Sequence, residues 1–100
     1  QPLLAMETTI TQEKLDKYFS VTHKALEKAG TALNTERQKE AREVLDMAQR
    51  YYDDAHFFLK KRDGVTAFAA LNYAHGWLDA GARLGLFLVS DSTLFTVDGE

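Results

Sequence analysis

The sequence contains no cysteine, and its single proline, Pro2, stands at the far N-terminal end. Without cysteine there is no disulfide and no thiolate metal site, and thiol usage carries no signal of redox compartment. Without an internal proline, only glycine is left to interrupt helices. Long apolar runs are missing too. The longest, residues 84–89, is broken by Gly85 and falls far short of the ~20 residues that span a bilayer. Charge of one sign is also lacking: 12 Lys and Arg against 15 Asp and Glu leave a net charge of −3 at pH 7. That balance offers no electrostatic pull toward nucleic acid or an anionic membrane, so neither is an expected partner.

What is present suits one globular domain: 100 residues, 45% hydrophobic and 27% charged. No basic stretch followed by an apolar one opens the chain, so no secretory signal is expected, and a cytoplasmic location is the default. Gln1, Pro2, Leu3, Leu4 and Ala5 precede Met6 and read as an appended or unprocessed leader. Residues 1–8 are expected to form a disordered N-terminal segment.

Gly30 and the Arg62-Asp63-Gly64 stretch divide the remainder into three periodic segments, and Gly85 ends the third. The first opens at Thr9 or Thr11, with Thr9 and Gln12 spaced as a capping box. Its apolar residues, among them Leu15, Phe19, Ala25, Leu26 and Ala29, share one stripe, and Gly30 suits a left-handed residue past the helix end. Asn34 or Thr35 caps the second, where Ala41, Leu45, Ala48, Tyr52, Ala55 and Leu59 step by four and three. That spacing is the seam of a helix packed along antiparallel neighbours. The third runs from about Val65 to Leu84 with the seam Phe68, Leu71, His75, Leu78 and Ala82. Leu45, Tyr52, Leu59, Leu71 and Leu78 are expected to be nearly inaccessible to solvent. Short connections require an up-down-up order. The expected fold is therefore all-α: a left-handed, antiparallel three-helix bundle over residues 9–85. Residues 86–100, rich in strand formers, read as an extended tail packed on the bundle or on a second chain.

The third segment is unusual. Between Val65 and Leu86 only Asp79 and Arg83 are charged. Tyr73, Trp77, Ala80 and Leu84 lie well away from the seam, on a strip that two partner helices cannot cover. Gly76 and Gly81 each cost a helix interior about 1 kcal/mol relative to alanine and leave shallow surface for close approach. Tyr73, Gly76, Trp77, Ala80, Gly81 and Leu84 thus make a candidate interaction surface. The strip and the apolar tail are expected to be covered together, within one chain or between two.

The candidate chemistry is thin. His75 and Asp79, four apart, have a spacing that can hold a metal. In an antiparallel register, however, His23 falls level with about Ala41, roughly 15 Å along the axis from His75, and His56 falls near Ala70. Three converging histidines are not expected, and a His75–Asp79 hydrogen bond is the simpler role. Asn72, His75, Asp79 and Arg83 line one polar flank, a candidate small-molecule or metal site, in which an Asp79–Arg83 pair is a routine helix feature. Arg50 and His56 match the loose Arg-x(4–6)-His spacing of HEPN ribonucleases. Six residues on a helix nevertheless separate the two side chains by about 120°. Lys60, Lys61 and Arg62 complement the second helix's dipole. No catalytic residue, cofactor or metal is assigned.

The stretch from Tyr51-Tyr52-Asp53-Asp54-Ala55 through Tyr73-Ala74-His75-Gly76-Trp77-Leu78-Asp79-Ala80-Gly81-Ala82-Arg83-Leu84-Gly85 resembles the archaeal "domain of unknown function 357" family. The later Leu94-Phe95-Thr96-Val97 is similar to that family's ends, so the resemblance covers roughly Leu15 to Val97. It implies a small up-and-down three-helix bundle from an archaeal cytoplasm and no activity. A non-catalytic protein-interaction or self-association module is the expected function, with a homo-oligomer or another protein as partner. A HEPN-like nucleotide- or RNA-related domain is the alternative from another class.

Overall fold

The computed structural model describes residues 5–96. Sequence readings that involve residues 1–4 or Val97 lie outside the described residues. Three helices follow in order: α1 (Gln12–Gly30), α2 (Gln38–Lys60) and α3 (Gly64–Arg83), with a short 3-10 turn at Thr35–Arg37 before α2. The fold is an all-α three-helix bundle. The Phe19 ring meets His56 and the His23 ring meets Tyr52, so α1 and α2 run antiparallel, and Tyr51 stacks edge-on against Tyr73 across the α2–α3 hairpin.

The helix ends show which local signals prevailed. Thr11, not Thr9, caps α1, its side chain accepting from Lys14 N at 3.1 Å. Gly30 is the last residue of α1 and is not left-handed; Thr31 closes the helix in the right-handed region. The left-handed positions are Gly85 at φ 77° and Arg62 at φ 66°. Arg62 takes a conformation that L side chains disfavour because it closes the end of α2, its N–H donating to Leu59 O and the Asp63 N–H to Phe58 O; Asp63 then caps α3, its side chain accepting from Thr66 N. Asn34 caps the 3-10 turn rather than α2, accepting from Glu36 N.

Leu71 and Leu78 are buried, whereas Leu45, Tyr52 and Leu59 are only partly so. The expected full burial of α2's seam fails because α1 packs less closely on α2 than α3 does. Small residues fill the tight α2–α3 contact instead: Ala41, Ala48, Ala55, Ala67 and Ala74 are fully buried.

The α1–α2 register also differs from the sequence reading. His23 lies beside Tyr52, not level with Ala41, and a Cβ at Gly30 would stand 3.9 Å from Leu45 Cδ2. The segment 31–37 is a travelling connection rather than a tight turn, so α2 extends past the end of α1. The C-terminal residues fill the step this leaves. Leu86, Phe87 and Phe95 are buried in one cluster with Ala41, Ala48 and Leu78. Phe87 forms an antiparallel bridge with Leu33, Leu88 N donates to Ala32 O at 2.8 Å, and Asn34 N donates to Leu86 O at 2.8 Å. The tail is not extended throughout: it turns after Asp91, whose carbonyl accepts from Leu94 N and Phe95 N.

Candidate functional site

The third helix presents two surfaces. On its polar flank, His75 points toward α1. Its Nδ1 is 2.9 Å from Thr22 Oγ1 and its Nε2 is 2.7 Å from Leu94 O. A carbonyl can only accept, so Nε2 carries a proton; in the neutral ring Nδ1 then accepts from the Thr22 hydroxyl. The expected His75–Asp79 hydrogen bond is replaced by this arrangement. Asp79 Oδ1 stands 3.7 Å from Nε2, too far for one, and accepts instead from Thr96 N at 3.0 Å. Asp79 therefore serves the tail rather than the expected helical pair with Arg83, which is exposed. Asn72 donates to Phe68 O within its own helix.

Tyr18, Val21, Thr22, Asn72, His75, Gly76 and Asp79 line a cleft of about 200 Å³. Both His75 nitrogens are occupied by protein, so the cleft wall is satisfied rather than poised for proton transfer. Thr22 and the Leu94 carbonyl complete this cluster. The sequence reading passed over both, since one is a lone threonine in an apolar stripe and the other a backbone atom. Among the described residues no group of three or more His, Asp or Glu side chains could hold a metal.

Arg50 and His56 do not come together. The Arg50 guanidinium pairs with Asp46 at 2.8 Å on the surface, while the His56 ring packs on Phe19 and Tyr52. Burial pushes the Tyr52 hydroxyl above its ordinary pKa, with Asp53 and Glu27 adding to the effect.

The other surface is the apolar strip. Tyr73 and Leu84 are 52% and 63% exposed, Val65 is 66% exposed, and Ala69, Gly76 and Ala80 are exposed between them. These positions follow helical spacing along the side of α3 turned away from the seam. Trp77 borders the strip, partly buried, with Nε1 shielded from solvent and without a hydrogen-bond partner among the described residues. Tyr73, Gly76, Trp77 and Ala80 surround a shallow apolar depression of about 220 Å³.

Two expectations need correction here. Gly81 does not belong to the accessible surface. It is buried beneath the Phe87 ring, and a Cβ there would lie 2.7 Å from Phe87 Cδ2. Nor are strip and tail covered together within one chain. The slot at Gly81 and the left-handed turn at Gly85 draw the tail toward Leu33 and α1, away from the strip. Tyr51 packs edge-on against Tyr73, and both Tyr73 and Leu84 stay more than half exposed.

The architecture defines the class of protein, a small all-α three-helix domain whose C-terminal segment closes one end of the bundle. The sequence profile of the family described as "Protein of unknown function (DUF357)" matches residues 17–87, and the chain belongs to that family. No curated protein and no solved structure matches it. No helix among the described residues is long and apolar enough to cross a membrane.

Proposed function

We propose that this chain is a non-catalytic protein-interaction module, acting in an archaeal cytoplasm, that presents the outer face of α3 to another polypeptide. The observation that carries the reading is the apolar strip of Val65, Ala69, Tyr73, Gly76, Ala80 and Leu84, along which Arg83 near the C-terminal end is the one charged side chain. The tail could have covered it and packs elsewhere. Exposed apolar patches of this kind on a small folded domain mark binding surfaces. The polar cleft supports the same reading from the other side, since its histidine is committed to holding the tail.

The test is affinity capture from the native cell with the wild-type chain and with Ala80→Arg. Ala80 is exposed, so the arginine alters the strip and leaves the core alone. Captured proteins should be lost with the variant, while its helical circular dichroism stays unchanged. Identical capture by both forms overturns the reading.

A further inference from the structure

We propose that the partner segment carries an arginine beside an apolar side chain: the apolar group fills the depression at Tyr73 and Trp77, and the guanidinium enters the polar cleft at Asp79. The inference rests on the interaction reading above and adds the partner's chemistry.

Two cavities meet at Gly76. The apolar depression of Tyr73, Trp77 and Ala80 and the polar cleft of Tyr18, Asn72, His75 and Asp79 both include it in their linings. A Cβ built on Gly76 meets nothing within 4 Å, whereas one on Gly81 would strike the Phe87 ring. Packing inside the chain therefore explains the second glycine and not the first. A glycine within a helix weakens it. What Gly76 provides in exchange is an open floor joining the two cavities, low enough for another backbone to cross.

The unspent polar atoms of the cleft are acceptors. His75 is committed on both nitrogens. Asp79 Oδ1 takes the Thr96 N–H, but Oδ2 has only a long 3.5 Å contact from Thr96 Oγ1. Asn72 gives Nδ2 to Phe68 O, and its Oδ1 receives no hydrogen bond from the described residues. Asp79 is the one carboxylate in the lining, and no lysine or arginine among the described residues pairs with it; its nearest cationic candidate is His75 Nε2 at 3.7 Å. Arg83, one turn further on, is exposed, and Lys17 Nζ lies against the Tyr18 ring, 5.9 Å from its centroid. A carboxylate beside an amide oxygen calls for a donor group of positive charge. A guanidinium presents its N–H groups as a planar fork and can reach both oxygens, where an ammonium offers a single point. The Asp79 side chain is 31% exposed, so the pair would form partly shielded from water and gain more than an open surface pair. A cleft of about 200 Å³ has room for one such side-chain head.

The probe is the blocked pentapeptide leucyl-alanyl-arginyl-alanyl-leucine amide, whose leucines and arginine share one face when extended. Titrated into the full chain, it should shift the amide resonances of Gly76, Asp79 and Ala80 to saturation. Replacing its arginine by citrulline, which keeps the shape and removes the charge, should weaken binding about tenfold or more. Asp79→Asn should do the same while still accepting from Thr96 N, and Asp91→Asn, which removes an equal charge elsewhere, should change affinity less than about twofold. No saturable shift, equal binding of the citrulline peptide, or indifference to Asp79→Asn overturns the arginine. Arginine amide binding as tightly as the pentapeptide assigns the cleft to a small molecule and overturns the polypeptide occupant. Native capture that is lost with Ala80→Arg but indifferent to Asp79→Asn removes the arginine and leaves the interaction reading standing; capture that ignores Ala80→Arg removes both.

Discussion

Thr22 on α1 and His75 on α3 are joined by a 2.9 Å hydrogen bond although 53 positions separate them in the chain. Because the same imidazole donates from Nε2 to Leu94 O, one side chain ties the first helix, the third helix and the tail together. Asp79, one turn further on, fixes the tail two residues later by accepting from Thr96 N.

The first prediction follows from that linkage. Thr22→Val removes the donor to Nδ1 without changing side-chain volume much, and should cost about 1 kcal/mol. His75→Phe should go further and release the tail locally, so the Thr96 amide should exchange with solvent markedly faster while the amides of α2 keep their protection. Unchanged Thr96 protection in His75→Phe would show that Asp79, Phe87 and Phe95 hold the tail without His75.

The second prediction contrasts two glycines on α3. At Gly81 an alanine methyl would collide with the Phe87 ring, which is 1% exposed and has nowhere to move. Gly81→Ala should therefore destabilise by about 1–3 kcal/mol, the usual range for overpacking a core. At Gly76 the added methyl meets open space, and Gly76→Ala should stabilise the isolated chain by up to about 1 kcal/mol through helix propensity. Chemical denaturation of both variants reads the difference in sign. Equal effects would mean that the Phe87 ring is not seated on Gly81.

These two glycines also show what was legible in the sequence. Both stood out as costly residues in a helix, yet nothing local distinguished the one that accepts Phe87 from the one that faces outward. The alanines of the α2 seam and the leucines of the α3 seam were readable because period alone places them. The α1–α2 register was not, because it depends on how far residues 31–37 travel before α2 begins, and no hydrophobic period records that distance. His75 was recognised as a polar feature of the seam, but its partners Thr22 and Leu94 O are brought to it by that same register and by the tail's return. Arg62 escaped notice because the demand on it comes from the left-handed closure of α2, at a position that no glycine marks.

Acid and base limbs of the stability profile supply the third prediction. The Asp63 carboxylate lies below its ordinary value of 3.8, chiefly because it accepts the Thr66 backbone N–H. Asp91 is lowered as well, first through the Thr93 hydroxyl and then through the Thr93 backbone N–H. Lowered carboxylates contribute stability that is complete above 3.8 and is lost as pH falls through their folded values. Tyr52 works in the opposite direction. Raised above its ordinary 10.0 by burial, it contributes stability that is complete below pH 10.0 and is lost as pH rises through the folded value. Urea midpoints measured across the pH range should fall below pH 3.8 and above pH 10.0. The acid limb should flatten in an Asp63→Asn, Asp91→Asn double variant and the alkaline limb in Tyr52→Phe. A limb that keeps its slope in the matching variant assigns the loss to other groups.

The fourth prediction separates two roles of Asn34. Its Oδ1 accepts from Glu36 N at 3.0 Å and so caps the turn that leads into α2. Its Nδ2 donates to Gly85 O at 2.9 Å, across to the turn that ends α3, and its own backbone N–H donates to Leu86 O. The side chain thus joins the entry of one helix to the exit of another, and both bonds follow from the left-handed bend at Gly85 that brings this turn within reach. Asn34→Ser keeps a capping oxygen but is too short to reach Gly85, so it should lose only the cross-connection, about 1 kcal/mol. Asn34→Ala loses the cap as well and should cost about 2 kcal/mol in total. Unfolding free energies of the three forms, compared at one pH and salt concentration, distinguish the contributions. If serine matches asparagine, the Gly85 bond contributes nothing, and the tail is positioned by the Leu33–Phe87 bridge and the burial of Phe87; if serine matches alanine, the cap at Glu36 is the idle partner.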